Sequence, residues 1–197
     1  AVVCYVNSTA EIKAVSDVCV TSSNAIKVVK NIKNKRIFFV PDNNLGRYVA
    51  KQLPEKEFIF NDGFCHVHKS IDPKLVAEAK EHHPDALVLA HPECTEDVLE
   101  LADYIGSTAG ILDYATESEC KKFIICTEMG IFFKLSKQNP DKKFYSVGHR
   151  QFCPNMKKVS LEKVAAVMEN PTEEVLLSDD IMNEACKPLQ KMLELAK

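Results

Sequence analysis

No G-x-G-x-x-G stretch and no P-loop occurs in the 197 residues, so a dinucleotide or nucleoside-triphosphate motif is unsupported. The C-x-x-C spacing of a zinc knuckle is missing as well. Positive charge is not in surplus: 25 Lys and Arg stand against 28 Asp and Glu, a net charge of −3. A broad nucleic-acid surface needs clustered Lys and Arg, so no nucleic-acid partner is expected. The longest apolar runs fall far below the roughly 18–20 residues of a bilayer span, so no membrane partner is expected. The first residues show no basic region followed by a long apolar one; no signal peptide is read there, and a cytoplasmic location is expected.

The residues present, 46% apolar and 27% charged, are those of an ordinary soluble globular protein. Eight cysteines would suggest a disulfide framework only in a small secreted chain. Here Cys4, Cys19 and Cys126 sit inside apolar, strand-like runs, where reduced cysteine behaves as a small hydrophobe. A reducing compartment fits this usage. Ala1 is not Met, and residues 1–6 enter at once as an apolar, β-rich run. The first residues of most domains are loose, so sequence is expected to be missing upstream.

Strand and helix patterns alternate along the chain. Strands are predicted at 1–6, 18–20, 36–40 and 57–60, with helices at 9–15, 25–32 and 45–53 between them. The order then repeats, with strands at 86–90, 103–105, 122–126 and 143–147 and helices at 95–102, 109–119 and 131–137. Between the two series a helix over 74–82 opens on Asp72 as N-cap with Pro73 at its first position. Asn7 and Glu93, Asp17 and Asp103, Ser22 and Thr108, and Asp42 and Glu128 each lie 86 positions apart, and Cys65 and Cys153 lie 88 apart. Five such pairs in chain order define an internal repeat. The predicted fold is α/β: two pseudo-symmetric three-layer αβα repeats with small parallel sheets, 1–66 and 67–153, followed by a C-terminal segment, 154–197. That segment reads as a helix over 161–168, a strand over 174–177 and a helix over 179–196 that Pro188 should kink or restart. It would complete a further unit lying upstream.

The groups able to do chemistry fall at strand ends, where ligands collect in parallel α/β sheets. Cys65 and Cys153 each follow a strand, a glycine turn and a phenylalanine. They suit zinc together with His66 or His68, or an iron–sulfur cluster with three thiolates and one open iron. Tyr5-Val6-Asn7 and His91-Pro92-Glu93 occupy the same place in the two copies. A Tyr, a His and a carboxylate in one cleft can supply general acid and base groups, although each alone fits a hydrogen-bonded core position. Ser22, Ser107 and Thr108 lie just before helices, where hydroxyls and free N–H groups take phosphate or carboxylate; plain N-capping is the simpler role for either helix alone. Gly46 and Gly130 read as turn residues.

Tyr5-Val6-Asn7-Ser8-Thr9, Thr21-Ser22-Ser23-Asn24, Pro41-Asp42, Gly63-Phe64-Cys65-His66-Val67-His68, His91-Pro92-Glu93-Cys94, Gly106-Ser107-Thr108, Thr127-Glu128 and Cys153-Pro154-Asn155-Met156-Lys157 form an ordered set that resembles the bacterial and archaeal quinolinate synthase family. The resemblance runs the length of the chain. It implies three pseudo-symmetric αβα domains around a central cavity, with a [4Fe-4S] cluster held by one cysteine from each. It also implies condensation of iminoaspartate with dihydroxyacetone phosphate, with loss of phosphate and water, to give quinolinate for NAD synthesis. L-Aspartate oxidase or dehydrogenase would supply the iminoaspartate. By the same resemblance Cys65 and Cys153 are cluster ligands, and the third comes from an N-terminal domain that this sequence does not contain. Tyr5, His91 and Glu93 are then catalytic, and Tyr5, Asn7, Ser22, His68, His91, Glu93, Ser107 and Thr108 bind substrate. Without the first domain the chain is expected to be inactive, and Cys94, Cys120 or Cys126 is not expected to replace the third ligand. The other readings are a non-enzymatic αβα module for phosphorylated or dicarboxylate ligands, and a zinc protein at Cys65 and His68.

Overall fold

The computed structural model describes residues 1–148, 151–172 and 174–197. Strands β1 (Val2–Tyr5), β2 (Val18–Val20), β3 (Arg36–Val40) and β4 (Glu57–Phe60) form a parallel sheet in the order β2-β1-β3-β4. Strands β5 (Leu87–Ala90), β6 (Tyr104–Ile105), β7 (Lys122–Cys126) and β8 (Lys143–Ser146) form a second, in the order β6-β5-β7-β8. The two orders are the same when each sheet is counted from its own first strand, so the repeat read from the spacing is a repeat of topology. Central strands covered on both faces must be apolar throughout. Val3, Cys4, Val88, Leu89, Phe123, Ile124 and Ile125 are accordingly sealed.

Helices α1 (Ala10–Ala14), α2 (Ala25–Asn31) and α3 (Asn43–Gln52) belong to the first lobe, and α6 (Glu96–Leu99), α7 (Thr108–Glu117) and α8 (Ile131–Gln138) to the second. Equivalent polar anchors hold each lobe. The Val2 amide donates to Asp17 Oδ2 at 2.7 Å, and the Val88 amide donates to Asp103 Oδ2 at 2.7 Å. Lys56 donates to the carbonyls of Ile32 and Asn34 just past α2, and Lys142 to those of Ala115, Thr116 and Ser118 at the end of α7. A lysine there satisfies carbonyls that the helix leaves unpaired.

Two short helices link the lobes, α4 (His66–Lys69) and α5 (Pro73–His82). The Asp72 side chain caps α5 through the Lys74 amide, as the sequence predicted. Beyond a 3-10 turn at Met156–Lys158, the tail contributes α9 (Leu161–Glu169) and α10 (Asp179–Leu195). α10 lies against α1, β2 and α2 and lends Met192 to the first lobe's core, whereas α9 buries none of its residues.

The tail departs from expectation in its strand. Residues 174–177 form none; Val175 and Leu176 are 84% and 80% exposed, and among the described residues no strand pairs with them. α10 is a single helix with Pro188 inside it, buried with Ala185 and Met192 on the docked face. The glycine turn predicted before Cys153 includes His149 and Arg150, which lie outside the described residues; Gly148 at its head has φ +78°.

Candidate active site

The carboxyl ends of the two sheets and the helix α4 deliver five side chains to one place. β1 ends on Tyr5, and β5 leads directly into His91 and Glu93. α4 carries His68, and the segment after β7 carries Thr127. His68 Nε2 lies 3.0 Å from Thr127 Oγ1, and its Nδ1 lies 2.6 Å from Glu93 Oε2. The second contact is an ion pair off the ring's N–H axis, so Nδ1 has no aligned hydrogen-bond partner. The His91 ring stacks on His68 with centroids 4.4 Å apart, and its Nδ1 is 3.6 Å from the same Glu93 oxygen. The Tyr5 phenol of the first lobe stands beside Ser22 and close enough to Glu93 of the second lobe to feel its charge. Asn44 of α3 ties the two lobes, donating to the Glu93 carbonyl at 3.1 Å. Tyr5, His68, His91 and Glu93 are all buried.

Crowding separates the proton affinities of these groups. Burial lowers the His68 pKa, but the Cys65 sulfur and the Glu93 carboxylate outweigh it and bring the imidazole to about 9. His91 is pulled down to about 4, first by burial and then by the charge on His68. Burial raises Glu93, yet His68, His91 and the Tyr5 hydroxyl together hold its pKa below the ordinary value. Burial and the Glu93 charge push the Tyr5 phenol upward. Near neutral pH the site therefore holds an imidazolium, a neutral imidazole, a carboxylate and an intact phenol, which is an acid–base set.

Cys65 and Cys153 occupy equivalent loops, and both are partly exposed rather than sealed. A carboxylate from the equivalent position grips each one. The Cys65 amide donates to Asp42 Oδ2 at 2.8 Å, while the other Asp42 oxygen accepts from the Leu45 amide at the start of α3. The Cys153 amide donates to Glu128 Oε1 at 3.2 Å, while Oε2 accepts from Gly130 at 2.6 Å. Gly63 makes the first loop possible, since an added Cβ would run into the Pro41 carbonyl oxygen. His68 on Thr127 and Glu128 on Cys153 bring the two cysteine loops to the same short segment. Cys65, His68 and Glu93 form a donor set that can hold a metal ion, their ligand atoms lying within 4.8 Å of one another. Among the described residues, Cys94 and Cys126 are fully buried, and Cys120 bonds to the Asp85 carbonyl before β5 and the Lys122 carbonyl at the start of β7. These residues fit two thiolates of a cluster and offer no third.

Of the remaining predicted site residues, Ser107 is a plain N-cap, accepting from the Gly110 amide at 3.1 Å. Thr108 and Asn7 are exposed at the ends of their loops. Asp42, Thr127 and Glu128 hold the site together without having been read as parts of it. The register of Asp42 with Glu128, and the place of Pro41-Asp42 and Thr127-Glu128 in the motif set, were the signals that could have pointed to them.

Repeated parallel α/β lobes with a thiol, two imidazoles, a carboxylate and a phenol at their shared edge define a class of protein whose chemistry lies between repeats. The family model described as Quinolinate synthetase A protein, NadA, matches residues 1–194, and the chain belongs to that family. It is similar to quinolinate synthases of Caldicellulosiruptor saccharolyticus (52% identical over 195 residues, 99% of this chain and 64% of the relative) and Clostridioides difficile (50% over 196 residues, 100% and 64%). The Fusobacterium nucleatum relative is 49% identical over 196 residues, 100% of this chain and 65% of its own length. The chain thus spans 64% of the length of the first relatives it matches.

Proposed function

We propose that this chain forms two of the three lobes of a quinolinate synthase, residues 1–66 and 67–153, with 154–197 completing the third through the exposed face of α9. The reaction is the condensation of iminoaspartate with dihydroxyacetone phosphate to quinolinate, in a reducing cytoplasm where an L-aspartate oxidase or dehydrogenase supplies the imine. The observation that carries this reading is the His68–Glu93–His91–Tyr5 cluster beside Cys65, assembled from both lobes. Cys65 and Cys153 would hold two corners of a [4Fe-4S] cluster, which when bound supplies an open iron as Lewis acid. His68, cationic near neutral pH, faces the carboxylates of a dicarboxylate substrate. Glu93 accepts a proton released on imine–enamine tautomerisation, and His91, left neutral, can relay it. Tyr5 keeps its proton and donates to a developing oxyanion.

The test is anaerobic reconstitution of the full-length parent with iron and sulfide, followed by assay of quinolinate formation. Wild type should gain the visible absorption of a cluster together with activity, and Cys65→Ser should lose both. A Cys65→Ser protein with full activity and undiminished absorption would defeat the proposal.

A further inference from the structure

We propose that Cys4 and Cys19 are an oxidation site, two facing thiols that a peroxide joins in a reversible disulfide across β1 and β2.

The strand register brings the thiols together. Cys4 and Cys19 are partners on neighbouring parallel strands, so both side chains leave the sheet on the same face. Paired strands lie about 4.8 Å apart, inside the roughly 4.4–6.8 Å that a disulfide spans between Cα atoms. The scaffold alone does not require sulfur there. In the second lobe the same register positions, Ala90 and Ile105, are also partners, and neither carries a thiol.

Cys4 has the surroundings of an attacking sulfur. Ser8 Oγ lies 2.9 Å from Cys4 Sγ, and Lys13 reaches the Ser8 carbonyl at 2.5 Å. A hydroxyl and a nearby cation favour the thiolate. The Cys19 thiol beside it, helped by Ser8, Ser16 and Lys13, brings Cys4 to about 6 against the opposing effect of burial. Cys4 and burial together push Cys19 upward, so it stays the protonated partner. Both cysteines are buried, but the cover over Cys4 is thin. Ser8 is half-buried, and Asn7 and Thr9 on either side of it are exposed. A peroxide, little larger than water, has only that hydroxyl to displace. Cys94 and Cys126 are the contrast: burial raises both, and the Cys94 thiol donates to the Cys126 carbonyl at 3.3 Å.

The Cys4 thiolate attacks one oxygen of hydrogen peroxide and the O–O bond breaks. Hydroxide leaves, takes a proton from solvent and becomes water, and Cys4 is left as the sulfenic acid. The Cys19 sulfur then attacks the Cys4 sulfur. The S–S bond forms, the S–O bond breaks, and the departing hydroxide carries off the Cys19 proton as a second water. Two electrons pass from the sulfurs to the peroxide, and a dithiol reductant reverses the change. Closing the bond draws Cys4 Sγ from Ser8, in the loop that begins at Tyr5 and carries Asn7. Loss of activity on oxidation would follow from the proposed function and rests on that reading, whereas the disulfide does not.

The experiment treats the reduced, metal-free 197-residue chain with hydrogen peroxide, alkylates the remaining thiols and digests with trypsin without reduction. Residues 1–13 and 14–27 should appear as one linked peptide, lighter than their sum by two hydrogen atoms, and dithiothreitol should separate them. This measurement is made on wild type and needs no variant. In Cys19→Ser, Cys4 should stop at the sulfenic acid and take a dimedone label, and in Cys4→Ser, Cys19 should take none. Four results would overturn the proposal. They are free Cys4 and Cys19 in wild type once the exposed Cys186 is oxidised, a link that forms only in urea, Cys4 joined chiefly to another sulfur, and a dimedone label on Cys19 in Cys4→Ser.

Discussion

The two lobes share strand order, anchors and loop geometry, and they differ where chemistry is done. At the end of the first strand one lobe presents Asn7, exposed, and the other presents Glu93, buried among two histidines and a tyrosine. Even the flanks of the cysteines agree: Phe64 and Phe152 are both about half exposed, with Lys69 over one ring at 3.5 Å and Lys157 over the other at 6.0 Å. The scaffold recurs in both lobes, and of the four acid–base groups His68, His91 and Glu93 lie in the second and Tyr5 in the first. On the proposed function, Glu93→Gln in a protein carrying all three proposed lobes should lower kcat for quinolinate formation by roughly 10²- to 10⁴-fold, the usual worth of a general base. Asn7→Ala should cost only about five- to tenfold, the worth of one hydrogen bond of roughly 1 kcal/mol. Equal losses at the two positions would break the comparison.

The cores differ in a second way. The second lobe covers both faces of its sheet with helices from its own stretch of chain, around Val88, Ala90 and Ile124 on one face and Leu89, Phe123 and Ile125 on the other. The first lobe borrows α10 from the tail. Phe123→Ala should therefore destabilise the chain by about 3–5 kcal/mol, and Met192→Ala by about 2 kcal/mol because that side chain sits at the rim of its core. Hydrogen exchange sharpens the contrast: Met192→Ala should speed exchange in β2 and α1 while β5 and β7 keep their protection. Uniform loss of protection would mean that α10 braces the whole molecule.

The link between the lobes should respond to pH. His68 titrates at about 9 in the folded chain against an ordinary 6.5, because Cys65 and Glu93 overcome its burial. A raised pKa adds stability that is fully present below about 6.5 and lost as pH rises through about 9. Metal-free wild type should thus lose on the order of 2–3 kcal/mol relative to His68→Gln across that window, measured by urea unfolding at fixed ionic strength. Parallel curves for the two proteins would show that the His68–Glu93 contact does not couple to folding.

The sequence disclosed what is local and periodic. All eight strands were legible as short apolar runs bounded by polar and turn residues, and the repeat was legible because 86-residue spacing recurs. No element was predicted over the four-residue helix α4, whose place depends on the long-range bonds of Cys65 to Asp42 and of His68 to Thr127. Gly46 was read as a turn residue and lies inside α3, where an added Cβ would sit 2.9 Å from the Phe39 ring. Residues 174–177 had strand composition but no partner strand. Tyr5, His91 and Glu93 were found by their shared register. Their protonation states were not, because these depend on burial and on partners that only the fold brings close, such as Glu93 beside Tyr5 and His68 beside His91.

The smallest predicted effect makes the finest comparison. Asp42 and Glu128 do the same work, each joining a cysteine amide to the start of a helix, but their environments are opposed. Asp42 is 4% exposed, and burial pushes its carboxyl up to about 6 despite the Leu45 and Cys65 amides. For Glu128 the burial cost is outweighed by the Gly130 and Cys153 amides and by Lys157 at 3.1 Å, so its pKa falls below 4.5. Asp42→Asn removes a charge that was expensive to bury and keeps one acceptor, so near neutral pH it should cost only about 1 kcal/mol. Glu128→Gln should cost about 0.5 kcal/mol, in keeping with a more open ion pair. A depressed carboxyl stabilises above its ordinary pKa and loses that contribution as pH falls, so the Glu128→Gln deficit should vanish in acid. The Asp42→Asn deficit should instead shrink as pH rises through about 6, where wild type must hold the charge. If both variants followed the same pH curve, the two carboxylates would be equivalent in energy as well as in position.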